Sequence, residues 1–156
     1  MATISPEIFQ EVLSAYAWGE GTLSYNSYGE GHINNTYLVT VNGKTVTRYI
    51  LQRINTDIFT DPKSLMENIC GVTSYLRDLI SKRGGDVSRE TMSIVPTKTG
   101  SSYYTDSTGG AWRVYNFVEN TSVCNSVEIP KISILLPCIW SVSRKSGRLR
   151  MPPACM

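Results

Sequence analysis

The chain is short of histidine, of clustered cysteine and of long apolar runs, and each shortage removes a class of function. Among 156 residues the only histidine is His32, and the four cysteines, at 70, 124, 138 and 155, show no Cys-x-x-Cys spacing. A zinc site or a disulfide framework therefore has little support, no metal-ligating residue is put forward, and reduced thiols are expected. No stretch approaches the ~18 consecutive apolar residues of a membrane helix. The opening "MATISPEIFQ" has no basic segment followed by an apolar one, so a secretory leader is not expected either. With 41% hydrophobic and 18% charged residues, the sequence reads as cytoplasmic and globular, with no transmembrane segment. Its length suits one core-bearing domain.

Acidic residues are also missing from one end. Residues 1–130 carry ten basic and 13 acidic groups, whereas residues 131–156 carry five basic and none acidic. Such asymmetry is the usual mark of an arm for nucleic acid or anionic lipid. The segment itself, "IPKISILLPCIWSVSRKSGRLRMPPACM", reads differently, with Pro137, Pro152 and Pro153 and β-branched clustering that suit neither a helix nor a linker. Nucleic acid is not expected as a partner. The apolar part, "ISILLPCIWSV", is too short to span a membrane, and an interfacial segment is the alternative reading.

What is present reads as alternating helix and strand signals. Ser5 and Pro6 form a cap and first helical residue, with Ile8, Phe9, Val12, Leu13, Tyr16 and Ala17 at helical spacing, which predicts a helix over 6–17. Val41-Asn42-Gly43-Lys44 carries an Asn-Gly pair that favours positive φ at both central positions of a two-residue turn. Strands near 34–41 and 45–53 should pair antiparallel across it. Asp61-Pro62 repeats the cap-and-proline signal, and Leu65, Ile69, Val72, Leu76 and Leu79 form a stripe that closes at Gly84-Gly85. "TMSIVPT", "SSYYTD" and "AWRVYNFVEN" are short β-rich runs separated by turn signals. The order predicts an α+β fold: an antiparallel sheet of about five strands with the 62–80 helix packed on a face.

Gly29-Glu30-Gly31 followed by Asn34 forms G-x-G-x-x-N, in which glycines let backbone N–H groups approach phosphate oxygens. Two glycines that only permit a bend between strands would look the same. No helix start follows, which disfavours a dinucleotide fingerprint, and G-x-x-x-x-G-K-[ST] is absent. A loop between strands that covers a nucleotide from above remains, as in kinases. Such a lobe needs a cation on its third strand, and "YILQRIN" offers Arg53 there, with Gln52 on the opposite strand face. Lysine is the more familiar residue at that place, and an exposed strand arginine is the competing reading. On the next helix, Glu67 is the carboxylate that would orient the cation, but it lies far round from the apolar stripe while Asn68 sits at its edge. Both stay open. In "WRVYNFVEN", the backbone of Phe117, Val118 and Glu119 suits an adenine edge, and a buried strand without a ligand is the alternative.

Together "GEGHINNTYLV", "RYILQRIN", "DPKSLMENICGVTSYLRDL" and "WRVYNFVENTS" resemble the aminoglycoside phosphotransferase-like kinase superfamily, most of all its N-acetylhexosamine 1-kinase branch, over roughly residues 20–128. The resemblance implies a protein-kinase-like N-terminal lobe that binds ATP with Mg²⁺, the metal being held by a C-terminal lobe, and transfer of phosphate to a sugar hydroxyl. It assigns Gly29, Gly31 and Asn34 to the phosphate loop, Arg53 or Gln52 to the cation position, and Phe117, Val118 and Glu119 to adenine. It also implies an aspartate base in a loop beginning with histidine and a later magnesium aspartate. Neither stands in this chain, because His32 precedes the sheet and no aspartate follows Asp106. No catalytic residue is therefore assigned.

The division expected is a nucleotide-binding lobe over 1–128 and an atypical basic tail over 129–156. A family-style continuation Glu-Asn-Pro-Glu-Asp-Phe, coded GAA AAT CCC GAA GAT TTC, becomes Glu-Ile-Pro-Lys-Ile-Ser on loss of one A, and that is the sequence from Glu128 to Ser133. A frameshift near Ile129 is the expectation. A small α+β binding or self-associating module without nucleotide is the rival, its exposed lobe surface being the adhesive part.

Overall fold

The computed structural model describes residues 4–29 and 33–121. The chain divides into two units, residues 1–119 and 120–156, and every element below belongs to the first. The order of elements is α1 (Pro6–Ser14), β1 (Thr22–Ser27), β2 (Asn35–Asn42), β3 (Val46–Arg53), α2 (Pro62–Lys82), α3 (Val87–Glu90), β4 (Ile94–Val95), β5 (Tyr104–Thr105) and β6 (Ala111–Asn116). One six-stranded sheet has the order β1-β2-β3-β6-β4, with β5 also on β6 and every pairing antiparallel. The expected α+β architecture is thus the observed one.

Helix α1 starts where the sequence places it, because the Ser5 hydroxyl accepts the Ile8 amide and Pro6 has no N–H to leave unpaired. It ends three residues earlier than its periodicity suggests. The carbonyl of Leu13, one of those a helix end leaves open, accepts the indole N–H of Trp18 at 2.6 Å. Tyr16 turns away from the helix axis to donate its hydroxyl to the Trp112 carbonyl at 3.0 Å. Tertiary partners outcompete another helical turn here.

Strand alternation gives the sheet two unlike faces. Tyr37, Val39 and Val41 of β2, Tyr49 and Leu51 of β3, and Trp112 and Val114 of β6 point to one side, where Phe9, Val12, Leu13 and Tyr16 cover them. This is the main core. On the other side α2 rests on a small patch, with Met66 packed against Ile54 and Ala111 and with Leu65, Ile69, Cys70 and Ile94 around it. The packed helix was legible in the sequence; that the larger core lies beneath the other helix was not.

Asp61 caps α2 by accepting the Ser64 amide at 3.1 Å, and Gly84 follows the helix end with φ 75°. Its buried side is turned by about one residue from the expected stripe. Met66 and Ile80 are buried, while Val72, Tyr75 and Leu79 are 59%, 64% and 42% exposed. Thr73 tolerates the inward position because its hydroxyl donates to the Ile69 carbonyl at 2.7 Å. Among the described residues no helix is long and apolar enough to cross a membrane.

The β2–β3 connection differs from expectation in its chemistry. The pair Asn42↔Val46 closes the ladder, so residues 43–45 form a three-residue loop, and neither Asn42 nor Gly43 has positive φ. The Asn42 amide instead donates to Ser24 Oγ at 3.3 Å, and a Cβ on Gly43 would lie well inside contact with the Glu20 carbonyl oxygen. The pair serves the close approach of the segment that leads into β1. Gly43→Ala is expected to cost about 1–3 kcal/mol in urea denaturation, since backbone must move to admit the methyl. An unchanged midpoint would count against that close approach.

Candidate functional site

The side of the sheet that carries α2 is covered only in part, and its remaining surface forms the candidate site. Side chains of Thr36 on β2, Gln52 on β3, and Arg113 and Tyr115 on β6, all half-buried, share that side by register with the buried Ile50. Phe117 continues the alternation just past β6, its amide donating to the Arg48 carbonyl at 3.1 Å. Arg48 in turn pairs with Glu119 at 2.9 Å. Tyr28, just past β1, lies on the same side, since its ring meets the Phe117 ring edge-on at 5.7 Å. Next comes Gly29, whose φ of 76° is a left-handed conformation that glycine adopts at no steric cost.

Three strands contribute to the polar centre. Gln52 Oε1 accepts from Arg113 Nε at 2.9 Å and from Nη2 at 2.6 Å. Gln52 Nε2 donates to Thr36 Oγ1 at 3.0 Å, and because a guanidinium can only donate, Arg113 fixes which way the amide faces. Among the described residues no carboxylate lies within ion-pair distance of Arg113. Burial pulls the Arg113 guanidinium below its ordinary pKa, and burial likewise raises the Tyr115 phenol, against the opposing pull of the Arg113 charge. The result is a half-buried cation whose nearest acceptor is neutral.

The proposed phosphate and cation residues separate on the two faces. Arg53 lies with the α1 side, its guanidinium 5.9 Å from the centroid of the Trp112 ring. A Cβ on Gly110 would come within 2.8 Å of Arg53 Nε and 2.5 Å of Asp106 Oδ2, so the strand arginine belongs to a packed corner. Gln52 is the member of the pair that faces the site. Asn34 Oδ1 accepts the Asn55 amide at 2.9 Å, tying the start of β2 to the exit of β3. Glu67 and Asn68 are both exposed on α2, and neither side chain makes a hydrogen bond or ion pair among the described residues. In the Phe117–Glu119 segment, the Phe117 amide is engaged with β3, and the Glu119 carbonyl accepts Arg89 Nη1 at 3.0 Å. Gly31 and His32, like the tail over 129–156 with its suspected frameshift, lie outside the described residues.

Arg113, Tyr115 and Tyr28 escaped the sequence reading. The signal was present in "WRVYNF": once Phe117 is set toward the site, period two sends Tyr115 and Arg113 there as well.

Among the described residues no group of three His, Cys, Asp or Glu side chains is placed to hold a metal ion. No model of a known protein family matches the chain. Fold and site together define an α+β domain with one packed face and one partly open face that carries a fixed positive charge beside aromatic rings.

Proposed function

We propose that the chain is the nucleotide-binding lobe of a sugar kinase-like phosphotransferase, of the N-acetylhexosamine 1-kinase kind, without turnover of its own. One observation carries this reading: Tyr28, the residue before the glycine segment, packs on Phe117 at the sheet face that also holds Gln52, Arg113 and Tyr115. A base stacked near Phe117 and an anionic chain running toward Arg113 would match the apolar and cationic ends of that face. Rows of the sheet separate Phe117 from Arg113 by four residues, about 13 Å at strand spacing, a span suited to an extended nucleotide. ATP supplies a transferable phosphoryl group when bound. Magnesium would enter with its phosphates, and the carboxylates to hold it would come from a second lobe. Because no aspartate follows Asp106, the base and metal ligand that the resemblance implies are not carried here. The acceptor sugar, a cytoplasmic location and activity in carbohydrate metabolism belong to the same proposal.

A second reading is favoured by α2, whose outward Val72, Tyr75 and Leu79 fall at helical spacing and stay exposed. On that reading the domain associates with a second copy and takes no nucleotide. Titration of Mg·ATP against the thermal midpoint separates the two. A ligand bound only by the native state adds about 2.7 kcal/mol at about 100 Kd, so a rise of several degrees is expected. A midpoint unmoved at millimolar nucleotide, with sedimentation as a dimer, would favour the self-associating module instead.

A further inference from the structure

We infer that Arg113, held in place by Gln52, is the anion-binding cation of the open sheet face and takes the phosphate chain of a nucleotide. This rests on the nucleotide reading for the identity of the ligand, though not for the existence of the site. Four observations lead to it. Arg113 has five N–H donors as a guanidinium, and two of its nitrogens are spent on one oxygen, Gln52 Oε1. The remaining N–H groups have no acceptor among the described residues. Gln52 is itself immobilised, because its amide nitrogen is bonded to Thr36 on the next strand, so the guanidinium plane is oriented before any ligand arrives. The acceptor is neutral, so the positive charge on a partly desolvated strand stays uncompensated, which is costly for folding and favourable for an anion.

The other basic candidates are occupied differently. Arg53 is on the opposite face against Trp112, Arg48 is paired with Glu119, and Arg77 donates to Ser93 Oγ at 2.8 Å. Gln52 is accordingly a positioning residue, and Arg113 the binding one. A guanidinium can meet phosphate oxygens through two donors at once, which a point charge at the end of a lysine cannot do.

The test uses the full chain, titrated by calorimetry with ATP, adenosine and inorganic tripolyphosphate, alongside the side-chain Nε–H resonance of Arg113. Wild type is expected to bind ATP and tripolyphosphate, with that resonance shifting in both titrations. Arg113→Gln should weaken both by at least about tenfold, and Arg53→Gln should leave both within about twofold. Gln52→Glu is the sharper variant. It presents a carboxylate to Arg113, so denaturation should show a fold at least as stable as wild type while anion affinity falls by about tenfold or more. A residue needed only for folding would not uncouple the two in this way. Unchanged affinity in both Arg113→Gln and Gln52→Glu overturns the inference and leaves the nucleotide reading standing. Binding of adenosine and ATP alike, with none of tripolyphosphate, does the same. Tripolyphosphate bound as tightly as ATP, and lost in the variants, supports the cation site and overturns the nucleotide reading. A wild-type chain that binds none of the three overturns both.

Discussion

Trp112→Ala is expected to destabilise the fold by about 3–5 kcal/mol, the range for removing a large aromatic side chain from a packed core. Trp112 is fully buried, and its ring sits edge-on to Phe9 at 6.0 Å and tilted to Tyr37 at 6.4 Å. Truncation therefore opens a void where α1 meets the centre of the sheet. It also removes the indole N–H that donates to Asp106 Oδ2 at 2.6 Å, leaving a buried carboxylate oxygen without that donor. Trp112→Phe helps separate the contributions, because it keeps much of the packing while losing the hydrogen bond to Asp106. Urea denaturation of the three proteins measures both, and a loss under about 1 kcal/mol for Trp112→Ala would mean the core is not organised around this ring.

Asp106→Asn should cost about 2–3 kcal/mol near neutral pH. The carboxylate is 4% exposed. Its Oδ1 accepts from the Thr108 amide at 2.9 Å, the Thr108 hydroxyl at 2.6 Å and the Gly110 amide at 2.8 Å. An amide in its place must turn an N–H toward one set of donors. Burial works to raise the Asp106 pKa, but the bonds from Thr108, Trp112 and Gly110 outweigh it, so the carboxyl sits below its ordinary value. A group with a lowered folded pKa stabilises the fold fully above its unfolded pKa, about 3.9 for aspartate. That stabilisation is lost as pH falls through the folded value. The gap between wild type and Asp106→Asn should thus be constant from neutral pH to about pH 5 and narrow below about pH 4. A gap independent of pH down to the acid limit would contradict the proposed role of the charge. Because Trp112 and Asp106 share a bond, their substitutions should combine with less than additive loss.

Local signals were enough where neighbouring residues supply the physics. Ser5-Pro6 and Asp61-Pro62 start helices because the capping oxygen and the first amides are only a few residues apart, and Gly84 ends α2 for an equally local reason. The Asn-Gly pair between two β-prone runs announced an antiparallel hairpin that does form. The Asn42-Gly43 turn was misjudged because its geometry is set by Glu20 and Ser24, about 20 residues away along the chain. The stripe on α2 was misjudged by a fraction of a turn for a similar reason: Ile54 and Ala111 choose which side chains are buried, and Met66 fits them.

The sequence by itself determined the order of elements, their caps, the alternation of each strand and the absence of an aspartate beyond Asp106. Only the tertiary structure decided that Gln52 rather than Arg53 faces the open side, and that Arg113, 61 positions from Gln52, supplies the cation there. The physical reason is that alternation says which residues of a strand share a face, while only the register between strands and the packing of α1 against one side say which face remains open.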